Sequence, residues 1–364
     1  MATTDSVPSA DAWDAPVPGS GAAPWSAVAE FALANEIGWA RDVGEQLAAG
    51  TFEPPPWNEI LGPTHVRGGP AGIVLHRGER VAEWGDASRP DMTFSVAKSY
   101  LAVLAGIAHG DGLLPDVDAP VAETALDDGF ASPHNRAITW RHLLQQTSEW
   151  EGTLWDKPDL VDRNRSLDGD NSRKGQHRDL QPPGTYWEYN DVRVNRLSLS
   201  LMQLFRRPLP QVLAERVMRP LGASETWGWH GYRNSTVELD GQAMTSVPGG
   251  SHWGGGLWIG ARDQARLGLL VLRGGQWGGQ RILPEDWVRS MLTPCPIRSD
   301  YGYLWWLNTD RARHPAASPR AYTAVGAGGN IIFCEPAQDL VLVARWCAAE
   351  ATNELIARAV AACG

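Results

Sequence analysis

Residues 92–110 read MTFSVAKSYLAVLAGIAHG, and this stretch decides how the chain is read. Phe94, Val96, Ala97, Tyr100, Leu101, Val103, Leu104 and Ile107 set apolar groups round most of a helix. A helix over Phe94 to Ala108, closed by Gly110 and Gly112, is therefore expected to be buried on nearly all sides. Lys98 is the only Lys, Arg, Asp or Glu between Met92 and Gly110. A lysine in that setting either snorkels to solvent or is kept for chemistry. Burial disfavours the ammonium and turns lysine toward a base, a change arginine does not undergo. Ser95 lies three residues earlier, on the same helical face. It also stands at the helix start, where free N–H groups and the helix dipole stabilise negative charge. A serine hydroxyl beside an amine able to lose its proton suits an activated acyl-transfer nucleophile. The plainer reading is a serine near the N-cap and a snorkelling lysine, and the S-x-x-K spacing alone does not separate the two.

Outward from this helix, strands gather at both ends of the sequence and helices in the middle. Ala71 to Trp84 reads as a hairpin turning at Arg77-Gly78-Glu79. Ile331 to Cys334 and Leu340 to Ala344 form another, turning at Glu335-Pro336. Helices are expected over Trp25 to Ala49, Thr139 to Gln146, Asn190 to Phe205, Pro210 to Arg219, Ala261 to Arg273 and Thr352 to Ala362. Glu149 to Pro183 is polar and rich in Gly, Asp and Arg, the texture of a binding loop or lid, or else of a disordered segment. The simplest architecture is an α/β lobe built from residues 24–100 and 240–364, with a helical lobe, 101–239, inserted between. Residues 1–23, rich in Ala, Pro, Ser and Asp, lack the features of a signal peptide and read as a disordered leader.

Composition narrows the partners. The 364 residues carry 32 basic and 42 acidic side chains, a net charge of −10. That argues against nucleic acid or an anionic membrane as a partner and leaves a small-molecule substrate; the oligomeric state is open. No run is long and apolar enough for a spanning helix. The cysteines, Cys295, Cys334, Cys347 and Cys363, form no CxxC, and no HExxH is present, so neither a metal nor another cofactor is expected. Idle thiols without an export signal fit the cytoplasm. Only three of the basic residues are lysines, Lys98, Lys157 and Lys174. A lysine that persists against such an arginine bias hints that arginine would not serve there.

Two further segments offer chemistry. Pro182 to Asp191 runs from a Pro-Gly turn through aromatics into a helix, and Tyr189 just before that helix is a candidate to share a proton with Lys98; a packed aromatic is the alternative. Val325-Gly326-Ala327-Gly328-Gly329-Asn330 leads into a strand, and its glycines allow close approach of a substrate backbone. No GxSxG is present, which argues against an α/β-hydrolase elbow.

Taken together these segments resemble the serine hydrolases of the class C β-lactamase and penicillin-binding-protein superfamily, from about Ala71 to Arg345. Phe94-Ser95-Val96-Ala97-Lys98 resembles its S-x-x-K. Ile138 to Ser148 resembles I-T-x-R-H-L-L-x-x-T-S, Pro183 to Asp191 resembles P-G-…-Y-S-N, and Gly255 to Gly268 resembles G-G-L-…-A-R-D-x-A-R-F-G. The resemblance implies an α+β fold of the β-lactamase/transpeptidase type, an antiparallel sheet flanked by helices with an inserted helical lobe. It implies Ser95 as nucleophile, Lys98 as its base or proton partner, Tyr189 as general base and acid, and the backbone N–H groups of Ser95 and Ala327 as the oxyanion hole. Two departures stand out. Asp191 replaces the usual asparagine, and Ala324-Val325-Gly326 replaces the K-T-G segment, so the usual cation for a β-lactam carboxylate is missing. These point to small-ester and small-amide hydrolases, with 6-aminohexanoate-dimer hydrolases the nearest named likeness. Asp191 is then expected to favour an amine-bearing substrate, with Trp187 and Gly326 also binding, and Trp150 and Trp155 near the cleft. The alternatives are an ATP-independent acyltransferase using the same acyl-enzyme, and a non-catalytic binding module.

Overall fold

The computed structural model describes residues 6–13, 15, 23–167 and 169–364. In chain order the elements that place the site are α1 (Trp25–Ala34), β1 (Ala71–His76), β2 (Glu79–Trp84), α2 (Val96–Gly110), α3 (Asp191–Phe205), α4 (Ala261–Leu272), β3 (Trp306–Leu307), β4 (Tyr322–Gly326), β5 (Asn330–Glu335), β6 (Leu340–Arg345) and α5 (Thr352–Ala361). The strands form one antiparallel sheet in the order β3-β4-β5-β6-β1-β2. The two ends of the chain meet where β1 pairs with β6, with Ile73 opposite Val343 and Val74 opposite Leu342.

Both faces of the sheet are covered, which is why its strands read as unbroken apolar runs instead of alternating. Ile73, Leu75, Ile332, Val341 and Val343 pack into the main core with α2 and α4. Their neighbours Val74, Phe333, Leu340 and Leu342 pack against Val28 and Ala32 of α1 and Leu355 and Ile356 of α5. The period-2 pleat sends each set to its own face. Helix α4 lies very close to the sheet: a Cβ on Gly268 would stand 2.8 Å from Ile332 Cγ2 and 2.9 Å from Val341 Cγ1.

Three expectations are corrected. Trp25 to Ala49 is not one helix: α1 stops at Ala34, and a second helix, Val43–Ala48, starts behind an Asp42 cap that accepts from Glu45 N at 3.1 Å. Between them the chain runs extended beside the end of β6, where Ile37 N donates to Trp346 O at 2.9 Å; these tertiary bonds outbid helical ones. The lobe boundary at residues 100/101 falls inside α2, and one apolar core runs from Ile73 through Leu104 and Leu197 to Val343. Part of the expected leader is ordered. Trp13 is buried, its carbonyl accepts from Arg80, and its ring carries the Arg266 guanidinium at 3.9 Å. Residues 1–5, 14 and 16–22 of that leader lie outside the described residues.

The polar stretch Glu149 to Pro183 is a folded excursion held by buried ion pairs. Glu149, fully buried, takes both Arg178 nitrogens at 2.6 Å and Arg193 Nη1 at 2.7 Å. Burial alone pushes the Glu149 carboxyl up, but the two arginines hold it at about 2. Among the described residues no helix is long and apolar enough to cross a membrane.

Candidate active site

Ser95 is delivered by a strained turn. Asp91 and Met92 pair with Ile259 and Trp258, and Thr93 N donates to Leu257 O at 2.9 Å. Phe94 then adopts φ 51°, the left-handed region that costs an aromatic residue on the order of 1–3 kcal/mol. Packing holds it there: Phe94 is buried with Trp39 at 5.5 Å, Phe52 at 5.9 Å and Trp346 at 6.2 Å. Ser95 follows as the N-cap of α2, yet its side chain makes no capping bond. Its Oγ instead accepts from Lys98 Nζ at 2.9 Å.

Lys98 does not snorkel; it is 2 % exposed. Its other partner is Asp191 Oδ1, and its Nζ stands 4.8 Å from the centre of the Tyr189 ring. Burial pulls the Lys98 pKa down, but Asp191 and Tyr189 outweigh it and hold the ammonium above its ordinary range. The expected neutral lysine base is thus replaced, at rest, by a charged lysine that donates to the serine.

Asp191 opens α3 behind Asn190, which caps the helix by accepting from Arg193 N at 3.1 Å. The second oxygen of Asp191 accepts from Arg165 Nη1 at 2.6 Å and faces His252 Nδ1 at 3.3 Å. Burial raises its proton affinity, yet His252, Lys98 and Arg165 drive it well below the usual carboxylate range. Asp191 therefore lies in the cavity lining with its oxygens paired to the protein's own cations. The glycine-rich turn 249–256 roofs this group: a Cβ on Gly250 would lie 2.9 Å from Asp191 Oδ1 and 3.3 Å from Lys98 Nζ.

Behind Asp191 lies a second buried ionic layer. Asp162 accepts from Asp191 N at 2.8 Å and pairs with Lys174 at 3.2 Å and Arg165 at 3.4 Å. Lys174 also pairs with Glu53 and donates to Phe52 O at 3.0 Å. Burial and the charge of Asp162 push Glu53 up to about 8, and burial pulls His252 down to about 4. Glu53, Asp162 and His252 have the donor types of a metal site, but the Lys174 ammonium already bridges the two carboxylates. Lys98 and Lys157 are buried, and Lys174 keeps 11% of its side chain exposed; Lys157 donates to Trp57 O at 3.2 Å.

Ser95 opens into a cavity of about 560 Å³ whose lining includes Trp39, Phe52, Tyr189, Trp306, Gly326 and Ala327. The end of β4 presses on the nucleophile turn, for a Cβ on Gly326 would lie 2.0 Å from Thr93 O and 3.2 Å from Ser95 N. Ala327 O is turned into the hairpin, accepting from Asn330 Nδ2 at 2.6 Å. Trp187 is not on the wall. It packs behind it, against Tyr301 at 5.3 Å and Trp306 at 5.9 Å, under Arg298. Trp150 and Trp155 are core residues rather than lining ones. Trp306, Arg165 and Arg313 line the cavity and were missed from sequence. Only the polar texture of the excursion hinted at Arg165, and nothing local marked the other two.

Comparisons with known proteins bear on the family and the fold. The sequence matches the Beta-lactamase family over residues 58–351. A provisionally named D-alanyl-D-alanine carboxypeptidase from Salmonella paratyphi B is 22% identical over 194 residues, 44% of this chain and 45% of that protein. The chain thus spans about half the length of the curated relatives it matches. Among solved structures, a family VIII carboxylesterase aligns with TM-score 0.61 and 17% identity, over 94% of this chain and 98% of its own. A provisionally named 6-aminohexanoate-dimer hydrolase from Bacillus anthracis aligns with TM-score 0.56 and 18% identity, over 79% and 76%. The fold is of the β-lactamase/transpeptidase type, and the chain belongs to the Beta-lactamase family.

Proposed function

We propose that this member of the Beta-lactamase family is a serine hydrolase that cleaves a small carboxylic ester or linear amide through an acyl-enzyme on Ser95. The observation that carries the reading is the uncapped Ser95 hydroxyl, 2.9 Å from a buried lysine at the head of α2 and open to the cavity. Ser95 Oγ attacks the substrate carbonyl carbon. Its proton passes to Tyr189, the general base, and then to the departing alcohol or amine. Lys98, which donates to Ser95 Oγ and stands 4.8 Å from the centre of the Tyr189 ring, stays charged and steadies the negative charge that develops. The N–H groups of Ser95 and Ala327 receive the developing oxyanion. Water, activated by Tyr189, releases the acid and restores the serine. An amine or alcohol in place of water would make the same intermediate an acyl donor.

The test is adduct formation and turnover in Ser95→Ala. The variant is expected to fold, to lose turnover of chromogenic esters and linear amides, and to lose the mass adduct with a serine-reactive phosphonate. An adduct that persists, or maps to another serine, overturns the assignment. Adding amine and alcohol acceptors to the wild-type assay reads out transfer directly.

A further inference from the structure

Two cations stand close to the Tyr189 ring, and the steps above use only one of them. Lys98 Nζ is 4.8 Å from the ring centre, and the Arg165 guanidinium carbon is 5.1 Å from it. The same two cations hold Asp191, Lys98 through Oδ1 and Arg165 through Oδ2. Lys98 comes from α2, but Arg165 comes from the polar excursion, seventy positions or so along the chain.

The excursion is built to deliver Arg165 to this place. Asn164, just before it, takes φ 58°, a left-handed conformation that asparagine adopts more readily than most residues. The Asn164 N–H donates to Glu188 Oε1 at 2.7 Å, which ties the turn to the residue next to Tyr189. Gly175 N donates to Arg163 O at 2.9 Å and closes the loop on itself, and Lys174 anchors it to Glu53 and to Phe52 O. Arg165 lines the cavity that holds Ser95, with 14% of its side chain exposed. Its Nη1 donates to Asp191 Oδ2 at 2.6 Å and lies 3.4 Å from Asp162 Oδ1, while Nη2 faces His252 Nε2 at 3.5 Å.

This arrangement fixes two groups. With Arg165 on Oδ2, the Asp191 carboxylate cannot turn about its last bond, and Oδ1 alone answers Lys98. Lys98 Nζ then keeps its donation to Ser95 Oγ. Without the guanidinium, both oxygens compete for one ammonium and draw it off the serine. The guanidinium also lies within cation–π range of Tyr189, which restrains the ring.

We propose that Arg165 is a positioning residue for the acyl-transfer chemistry: it fixes Asp191 and the Tyr189 ring so that Lys98 and Tyr189 meet the Ser95 hydroxyl, and it makes the docked excursion part of the active site. The proposal rests on the serine-hydrolase reading and adds to it a residue that reaches the chemistry from outside the motif-bearing segments.

The experiment compares wild type, Arg165→Ala and Arg165→Lys on a neutral nitrophenyl ester, and by the rate at which a serine-reactive phosphonate modifies Ser95. The final extent of modification counts competent sites, so kcat is expressed per site. In Arg165→Ala both kcat and the modification rate are expected to fall by about 10- to 100-fold, the scale of a misplaced reacting group, with KM nearly unchanged. Arg165→Lys should recover part of the loss. Guanidinium ion at a non-denaturing concentration should restore part of kcat to Arg165→Ala, and tetramethylammonium at the same ionic strength should not. Wild-type kcat in Arg165→Ala overturns the proposal. A loss confined to KM also overturns it, because it makes Arg165 a substrate-binding group. A loss that neither lysine nor guanidinium relieves, with a lowered melting temperature, reduces Arg165 to support of the fold. Should Arg165→Ala not fold, Arg165→Lys decides alone: lowered kcat at unchanged KM supports the placement, and wild-type kcat or a changed KM overturns it. All of these outcomes leave Ser95 in place, whereas a wild type that forms no adduct at Ser95 refutes the serine-hydrolase reading and takes this proposal with it.

Discussion

Asp191→Asn changes one atom in the most heavily charged part of the molecule, and it restores the asparagine of the family pattern. In the wild-type protein Asp191 lies against the Lys98 ammonium, and both are buried. Two unit charges about 4 Å apart attract by about 4 kcal/mol at an effective permittivity near 20, equivalent to about 3 pKa units. Removing the carboxylate leaves the two influences that lower Lys98, burial and the Arg165 charge, without their main opponent. The Lys98 pKa should therefore fall, from above its ordinary value toward the range reached in assay. If the charged lysine is the working form, kcat/KM in wild type holds on the alkaline side, while Asp191→Asn loses activity there at a lower pH. Stability also falls, since a broken buried pair costs about 3–5 kcal/mol, with proton loss from Lys98 giving part of it back. The assay is a pH–rate profile on a neutral ester, with melting temperature measured on the same preparation. An alkaline limb that coincides in the two proteins refutes the reasoning. A gain in activity with rising pH in the variant refutes it differently, because it assigns the base to neutral Lys98.

Gly326→Ala places a methyl 2.0 Å from Thr93 O and against the Ser95 amide; a loss of about 100-fold in kcat is expected, since small displacements of a reacting group cost that much, and wild-type kcat in a folded variant would remove β4 from the site. Glu149→Gln tests the excursion. The folded-state pKa of Glu149 is lowered to about 2 from 4.5, so its stabilisation is present above pH 4.5 and lost as pH falls toward 2. Denaturation midpoints of variant and wild type should differ most at neutral pH and converge below 4.5, whereas a constant gap would contradict the ion-pair account.

The parts of this molecule legible in sequence are those with local periodicity. The all-round apolar pattern of residues 94–108 identified a buried helix with a lysine inside it, and the apolar runs at 72–76, 331–334 and 340–344 gave hairpins whose faces are both covered. The partners of Asp191 were not legible. Arg165 and His252 reach it from loops distant in sequence, and no spacing rule links them. The same holds for Trp306 and Arg313, which enter the cavity because the last strands return beside the first. The neutral-lysine expectation followed correctly from burial alone; it missed the carboxylate that burial brought along. The single helix over residues 25–49 failed for a related reason, because hydrogen bonds to Trp346 and Ala348 hold residues 35–37 extended.

The placement of the three lysines, two buried and Lys174 mostly covered, has a practical consequence. Arginine carries nearly all of the basic charge, and the only side-chain amines are held at Lys98, Lys157 and Lys174, each with partners inside the fold. Acylating reagents, amine-directed crosslinkers and amine-coupled supports therefore find almost no lysine to grip on the native protein. Lysine modification becomes instead a clock for opening: a site that reacts only when its segment swings out reports the free energy of that opening. Lys174 would mark detachment of the excursion from Glu53 and Phe52, and Lys98 the far rarer exposure of the nucleophile's own helix.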